Sequence, residues 1–112
     1  MTDDEFHTHW LNVHGKIAKK LCARQGVVCY VQSHTLDTAL NTGIRESRGL
    51  REGFDGIAEL WWESEAAVEA DLANEDLVAD FEELWKDEAC MIDYSRSCAF
   101  FTQEFTLYEG NS

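Results

Sequence analysis

The sequence predicts an α+β fold, and three observations lead to this prediction. Apolar residues recur every three or four positions near the N-terminus, which is typical of an amphipathic helix. Two stretches, 27–35 and 54–63, are rich in β-branched and aromatic residues and are typical of strands. A chain of 112 residues with 45% hydrophobic residues can bury one core. We therefore predict a single domain over residues 1–112.

The first helix is predicted to begin at Thr2 and to end at Gly26. Thr2 and Glu5 have the spacing of a capping box, in which both side chains bond backbone N–H groups at the helix start. At about 100° per residue, His9 and His14 fall on opposite flanks of the apolar stripe, so we expect them to point in different directions. The stripe consists of Phe6, Trp10, Val13, Ile17 and Leu21.

The middle of the chain predicts two strands joined by a loop. Residues 27–35 alternate in strand fashion. Their polar face holds Tyr30, Gln32 and His34. Residues 36–53 lose periodicity and gather Asn, Gly, Ser and three arginines, which indicates a long loop. Residues 54–63 have apolar side chains on both faces, as in a central strand or a strand covered at an interface.

The last third of the chain predicts a helical region and a final strand. Residues 65–86 carry apolar residues at helical spacing, with a break near Asn74, and residues 87–95 are irregular. Residues 96–108 are rich in aromatic residues and predict a long strand. The order α-β-β-α-β is one strand short of the ferredoxin-like split βαβ unit, and the missing strand would precede Thr2.

Charge and cysteines narrow the class of protein. The net charge is −13, and residues 53–112 hold two basic residues against sixteen acidic ones. Such an acidic surface repels phosphate backbones, so we expect no nucleic-acid partner. No apolar run is long enough for a membrane span. The four cysteines follow no leader sequence, so we expect free thiols and a cytoplasmic location.

Four ordered motifs between Glu5 and Glu104 resemble the EthD family. Each is quoted as it stands here: Glu5-Phe6-x-x-His9-Trp10-x-x-x-His14-Gly15, Tyr30-Val31-Gln32-x-His34, Asp55-Gly56-Ile57-Ala58-Glu59-Leu60-Trp61, and Asp87-Glu88-x-x-x-x-Asp93. The resemblance implies a ferredoxin-like protomer whose sheet packs against a second copy in a dimeric α+β barrel. Two departures are visible: the family's first strand is absent, and Lys16 stands where the family often has proline.

The resemblance also implies a small-molecule function. Family members are associated with bacterial ether degradation, and the wider superfamily includes lactone isomerases, polyketide cyclases and quinone-forming monooxygenases that often work without metal. We therefore expect an apolar or aromatic ligand, a homodimer and no cofactor.

Three residues are candidates for acid–base catalysis. His14 and His34 are the first two, because imidazole is the side chain that titrates near neutrality, and the matching family positions support both. Glu59 is the third, because a carboxylate between Ala58 and Leu60 in an apolar strand needs a partner or a raised pKa. Structural roles remain open for all three: a histidine can cap a carbonyl or anchor a loop.

Four residues are candidates for ligand binding, since an apolar pocket with a few polar groups is the usual design of a small-molecule site. They are Tyr30, Gln32, Trp61 and Trp62. Such aromatic residues also serve as core or dimer contacts. We expect His7 to be exposed and His9 to be a weaker candidate. No metal site is expected, because no pair of histidines has the helical spacing that two ligands of one metal need.

Two functions fit these observations. The first is a cofactor-independent enzyme, which could be an oxidoreductase, an isomerase or a cyclase. The second is a noncatalytic ligand-binding or accessory protein of a degradation pathway. The fold alone does not separate them, because one scaffold hosts many functions.

Overall fold

The computed structural model describes residues 1–111 and contains these elements. The N-terminal helical segment comprises α1 (Asp3–His9), a π-helical turn (Trp10–His14) and α2 (Gly15–Cys22). Then follow β1 (Val27–His34), α3 (Ala39–Arg48), β2 (Gly56–Trp62), α4 (Glu65–Ala73) and α5 (Val78–Met91). Two short 3-10 turns are Glu75–Leu77 and Tyr94–Arg96. The α+β class is confirmed.

The N-terminal capping box is confirmed. The backbone N–H of Glu5 donates to the Thr2 hydroxyl at 3.2 Å, and the Thr2 N–H donates to the Glu5 carboxylate at 3.1 Å. Together these bonds satisfy two of the backbone donors that a helix leaves free at its start. The helical segment therefore begins where the sequence predicts, and the capping box fixes the start of the helix that bears the histidines.

The two strands form an antiparallel sheet whose register decides which side chains share a face. Tyr30 lies opposite Leu60, Gln32 opposite Ala58, and His34 opposite Gly56. These residues form the face towards the N-terminal helical segment. The other face pairs Cys29 with Trp61 and Val31 with Glu59. In this sheet of two strands, polar site residues therefore lie on one face and Glu59 on the other.

The buried core lies between the N-terminal helical segment, the sheet and α5. Its apolar members are Trp10, Ala18, Leu21 and Leu77. The indole of Trp10 lies against the start of β2, where a Cβ on Gly56 would come closer than 3.0 Å to the ring. Glycine at this position therefore permits the closest approach between the helical segment and the sheet.

The long loop predicted for residues 36–53 is wrong, because this stretch contains α3. Leu36, Leu40 and Ile44 are spaced four apart, which is a helical signal hidden among Asn, Gly and Ser. None of the side chains of α3 is buried. Leu40 and Ile44 of this helix are therefore left largely exposed in a single copy of the chain.

The final strand predicted for residues 96–108 is also wrong for a single copy of the chain. Residues 97–111 form no helix or strand. Phe100, Phe105 and Leu107 are 77%, 76% and 93% exposed. A strand exists only where a neighbour supplies the hydrogen-bond ladder, and β1 and β2 pair only with each other in residues 1–111. The apolar pattern is present, but its partner strand is not.

Within residues 1–111, no helix is both long and apolar enough to cross a membrane.

Candidate active site

A carboxylate on α5 joins two histidines of the N-terminal helical segment. Nδ1 of His14 lies 2.8 Å from one carboxylate oxygen of Asp87, and Nε2 of His9 lies 2.9 Å from the other. The side chains of His14 and Asp87 are 9% and 13% exposed, and that of His9 is 23% exposed. These three residues form what we call the carboxylate–histidine site.

The π-helical turn explains why both histidines reach one carboxylate. In an α-helix, residues five apart are separated by about 140° around the axis, which is the basis of the prediction that His9 and His14 diverge. In a π-helix the hydrogen bond runs from i to i+5, so residues five apart come to the same face. The turn over Trp10–His14 therefore brings the two rings together, and the prediction of opposite directions is wrong.

Two contacts accompany the π-helical turn at the carbonyl of Trp10. The backbone N–H of Gly15 donates to this carbonyl, and so does Nε2 of Gln32, at 2.9 Å from β1. A Cβ on Gly15 would lie 3.1 Å from both the Gln32 amide nitrogen and the Trp10 oxygen. Gly15 thus leaves room for the strand side chain to hold the widened turn.

The hydrogen bonds of the carboxylate–histidine site determine which ring nitrogens of His9 and His14 carry protons. An ionised carboxylate only accepts, so His9 donates from Nε2 and His14 donates from Nδ1 to Asp87. A neutral His14 ring then carries its lone pair on Nε2. Within residues 1–111, no hydrogen bond engages that nitrogen. This is the arrangement in which a carboxylate orients an imidazole as a general base.

His14 also lines a mostly apolar cavity of about 190 Å³ between α2, the sheet and α5. Other lining residues include Leu21, Tyr30, Leu60, Trp62, Phe81 and Phe101. A dry apolar cavity of about 150 Å³ is enough to hold benzene. The cavity therefore has room for a compound of about one ring, with the His14 imidazole in its wall.

A second hydrogen-bonded group, the polar chain, runs along the helix-facing side of β1. It consists of His7, His34, Gln32 and Tyr30. Nε2 of His34 donates to the Gln32 carbonyl at 2.8 Å, and Nδ1 of His34 lies 2.7 Å from Nδ1 of His7. Since His34 has its proton on Nε2 when neutral, His7 supplies the proton between the two rings.

Burial lowers the pKa of His34 below its ordinary value of 6.5, and the neighbouring His7 lowers it further. The ring also packs against Trp10 at a tilt of 33°, with the two ring centroids 4.2 Å apart. His34 therefore stays neutral at neutral pH and links the start of the helical segment to β1. It does not line the apolar cavity.

The predicted site residues thus separate into three groups. His14, Tyr30 and Trp62 line the cavity, whereas Gln32 and His34 lie beside it in the polar chain. Trp61 and Glu59 lie on the opposite face of the sheet. Glu59 is exposed. In a single copy of the chain, β2 is covered on one face only, so Glu59 does not meet His14 or His34, and its catalytic role stays a prediction.

Sequence reasoning missed Asp87 and His7 as members of these groups. Asp87 belongs to a family motif, but nothing in its sequence neighbourhood says that it meets residues 73 and 78 positions earlier. The expectation that His7 is exposed is wrong, since it is half-buried against His34. A usable signal was present: His7 lies three residues before Trp10 of the apolar stripe, which places it one turn away beside that indole.

Carboxylates also contribute to the cavity wall. Asp71 and Glu88 line it, and no Lys or Arg within residues 1–111 does so. Negative charge without a nearby cation disfavours an anionic ligand. Residues 1–111 contain no cluster of three or more His, Cys, Asp or Glu side chains that could hold a metal ion. The side chains of the cavity wall can take part in proton transfer and hydrogen bonding.

Fold and site together define a small α+β protein with a carboxylate-oriented histidine beside an apolar cavity. Comparison with family models identifies the group: the EthD domain model matches residues 1–95. The chain therefore belongs to the EthD family. Searches among curated proteins and among solved structures return no match.

Proposed function

We propose that this EthD-domain protein is a small-molecule enzyme in which His14, oriented by Asp87, moves a proton on a compact apolar or aromatic compound. The observation that carries the proposal is that His14 donates Nδ1–H to Asp87 while its ring lines the cavity. The association of the EthD domain with ether degradation supports an ether, lactone or polyketide-like compound.

Proton transfer favours an isomerase or a cyclase among the three enzyme classes. Each of these reactions can proceed by removing a proton at one atom and returning it at another, and a positioned base contributes about 10²- to 10⁴-fold to such a step. An oxidoreductase would need an electron acceptor in addition. Proton transfer requires no cofactor, since His14 is the base and the substrate holds the displaced electron pair.

A thermal-shift panel tests the proposal with one compact probe of each chemical kind: anisole, δ-valerolactone and cyclohexanone. A ligand of the native state raises the unfolding temperature, with about 2.7 kcal/mol of added stability at one hundred times its dissociation constant. We expect at least one probe to stabilise the protein. Ala58→Leu, which enlarges a side chain of the cavity wall, should abolish the shift.

The noncatalytic alternative predicts the same binding without proton transfer. NMR in D2O separates the two, because an enzyme of this kind exchanges acidic C–H protons of its bound probe and His14→Gln does not. Binding with no exchange in the wild type would assign the chain to the ligand-binding class. Absence of any shift across the panel would contradict both.

We also propose a homodimer in which a second copy covers the helix-free face of the sheet. Ile57 and Val31 on that face are 55% and 37% exposed, and the apolar side chains of residues 97–111 are exposed as well. Burial of such surface stabilises association. Sedimentation should give twice the chain mass, and Ile57→Lys should shift it to the monomer; a wild-type monomer at every concentration contradicts the dimer.

We also propose a cytoplasmic location, which the state of the cysteines supports. Cys22, Cys29, Cys90 and Cys98 are all free thiols in the structure. Free thiols persist in reducing compartments. Cell fractionation tests this assignment.

A further inference from the structure

We infer that Tyr30 and His14 form a donor–base pair, and that the ligand they are built for is a neutral, compact cyclic ketone or a compound with an equivalent carbonyl. The inference rests on the proposed function and names its substrate class. It follows from which hydrogen-bonding atoms at the cavity are already engaged and which remain free.

The orientation of the Gln32 amide is fixed by its neighbours. Its nitrogen lies 2.9 Å from the Trp10 carbonyl oxygen, which only accepts, so this nitrogen must donate there. The same nitrogen lies 2.8 Å from the Tyr30 oxygen. An amide nitrogen has no acceptor capacity, so Tyr30 accepts this bond too. The hydroxyl proton of Tyr30 is therefore left for another partner.

Tyr30 keeps that proton at neutral pH. Its hydroxyl is half-buried, and burial raises its pKa above the ordinary value of 10.0. Within residues 1–111, no acceptor takes the proton. Tyr30 and His14 both line the cavity, and the hydrogen-bonding groups that they have left unengaged are the Tyr30 O–H and Nε2 of His14.

A donor and a base on one apolar cavity fit a carbonyl compound with an acidic neighbouring C–H bond. His14 removes the proton from the carbon next to the carbonyl, and the C–H electron pair moves into the enolate, whose oxygen accepts from Tyr30. The imidazolium then returns the proton to the same or a conjugated carbon. Atoms and charge balance without a further reactant, and the cation on His14 offsets the charge of the enolate.

Size and charge restrict the ligand further. A cavity of about 190 Å³ takes a single ring with small substituents. The carboxylates of Asp71 and Glu88 in the wall disfavour carboxylate or phosphate groups on the ligand. A neutral ring ketone satisfies both limits, and the donor–base pair gives its oxygen and its C–H bond separate partners.

Two isosteric probes test the pair directly: cyclohexanone and methylenecyclohexane differ only by oxygen in place of a CH2 group. Calorimetric titration of the wild type should show about tenfold tighter binding of the ketone, the size of one good hydrogen bond. Tyr30→Phe should remove that preference and keep the affinity for methylenecyclohexane. The matched control Tyr108→Phe, at an 86% exposed tyrosine, should change neither.

Exchange of the protons on the two carbons next to the carbonyl of cyclohexanone in D2O, followed by NMR, tests the base. Tyr30→Phe should lower the exchange rate about 100-fold, as for the loss of one oxyanion donor, and His14→Gln should abolish the acceleration while preserving the binding preference. Equal binding of both probes by the wild type overturns the donor–base pair but leaves the cavity. Absence of binding by either probe overturns the cavity and the proposed function with it.

Discussion

Two carboxylates with little exposure, Asp71 and Asp87, each accept hydrogen bonds from two other residues, and their partners are of different kinds. Asp71 on α4 accepts from the backbone N–H of Gly26 at 3.0 Å and from the indole N–H of Trp62 at 2.7 Å. Asp87 on α5 accepts from His9 and His14. Each carboxylate therefore holds two donors that come from distant parts of the chain.

The two carboxylates differ in whether their partners keep a lone pair that can accept a proton after they have donated. A backbone N–H and an indole N–H each have one hydrogen and no lone pair, so the bonds to Asp71 use them completely. An imidazole has a second ring nitrogen, so the bond to Asp87 leaves His14 with a free base. Asp71 serves the fold, because it ties the start of β1 and the end of β2 to α4. Asp87 orients a group that can react.

The largest difference between the roles of the two carboxylates should appear in the proton-exchange rate of Asp87→Ala. Without the carboxylate, His14 is free to rotate and to place its proton on either nitrogen, so we expect about a 100-fold loss of proton exchange in cyclohexanone. The free energy of unfolding should fall by only about 1 kcal/mol, since His9 reaches water. NMR of the ring nitrogens should show mixed tautomers.

Glu82→Ala is the matched control for Asp87→Ala, because it removes an exposed carboxylate from the same helix. It should leave both the exchange rate and the tautomers unchanged. If Asp87→Ala retained full exchange, Asp87 would be a structural residue like Asp71.

The second largest effect is a loss of folding stability in Asp71→Ala. Asp71→Ala leaves the N–H groups of Gly26 and Trp62 without a partner at a site where Asp71 is 8% exposed. We expect the free energy of unfolding to fall by about 2 kcal/mol, because the half-buried indole N–H of Trp62 loses its partner, whereas Gly26 is exposed and its N–H can bond to water. Urea unfolding monitored by circular dichroism measures this loss. An equal loss for Asp71→Ala and Asp87→Ala would remove the distinction between the two regions.

The smallest effect is a pH dependence of folding stability that arises at His34 in the polar chain. The pKa of His34 is lowered by burial and by His7, so the unfolded chain binds this proton more strongly than the folded chain does. Stability should therefore fall as pH drops below 6.5, and the loss is complete once pH passes below the folded pKa.

Unfolding temperatures from about pH 8 to about pH 5 measure this dependence, because histidine is the group that titrates in that interval. Between pH 6.5 and about pH 5, the unfolding temperature of His34→Gln should fall less steeply with decreasing pH than that of the wild type. Parallel curves for the two proteins would contradict a role for His34 in this dependence.

The elements that sequence reasoning predicts well are those with a strong local signal. Thr2 and Glu5 mark the helix start, and the alternation around Tyr30 and Gln32 gives the strand face. The π-helical turn has no such signal, because the contact that holds it comes from Gln32 in another element. The predicted divergence of His9 and His14 fails for this reason.

The candidate site can be predicted from the sequence only in part. His14, Tyr30 and Trp62 are candidates because of their residue types and spacing, and the structure places all three at one cavity, while their roles stay predictions. Asp87 has no comparable signal, because its contacts depend on how α5 packs against the helical segment. Alternation around Glu59 gives two faces of β2 but does not say which face is covered.

The π-helical turn has a consequence for how such a site tolerates a change in chain length. Relative to an α-helix, a π-helical turn contains one extra residue, so a single inserted codon is enough to convert one into the other. Before such an insertion, the two histidines would be four residues apart and about 40° apart around an α-helix, so both would already lie on one face. After it, the π-helical turn keeps both on Asp87, and the rest of the helix keeps its face towards the core. One length change in a gene can thus lengthen this segment without separating the paired imidazoles.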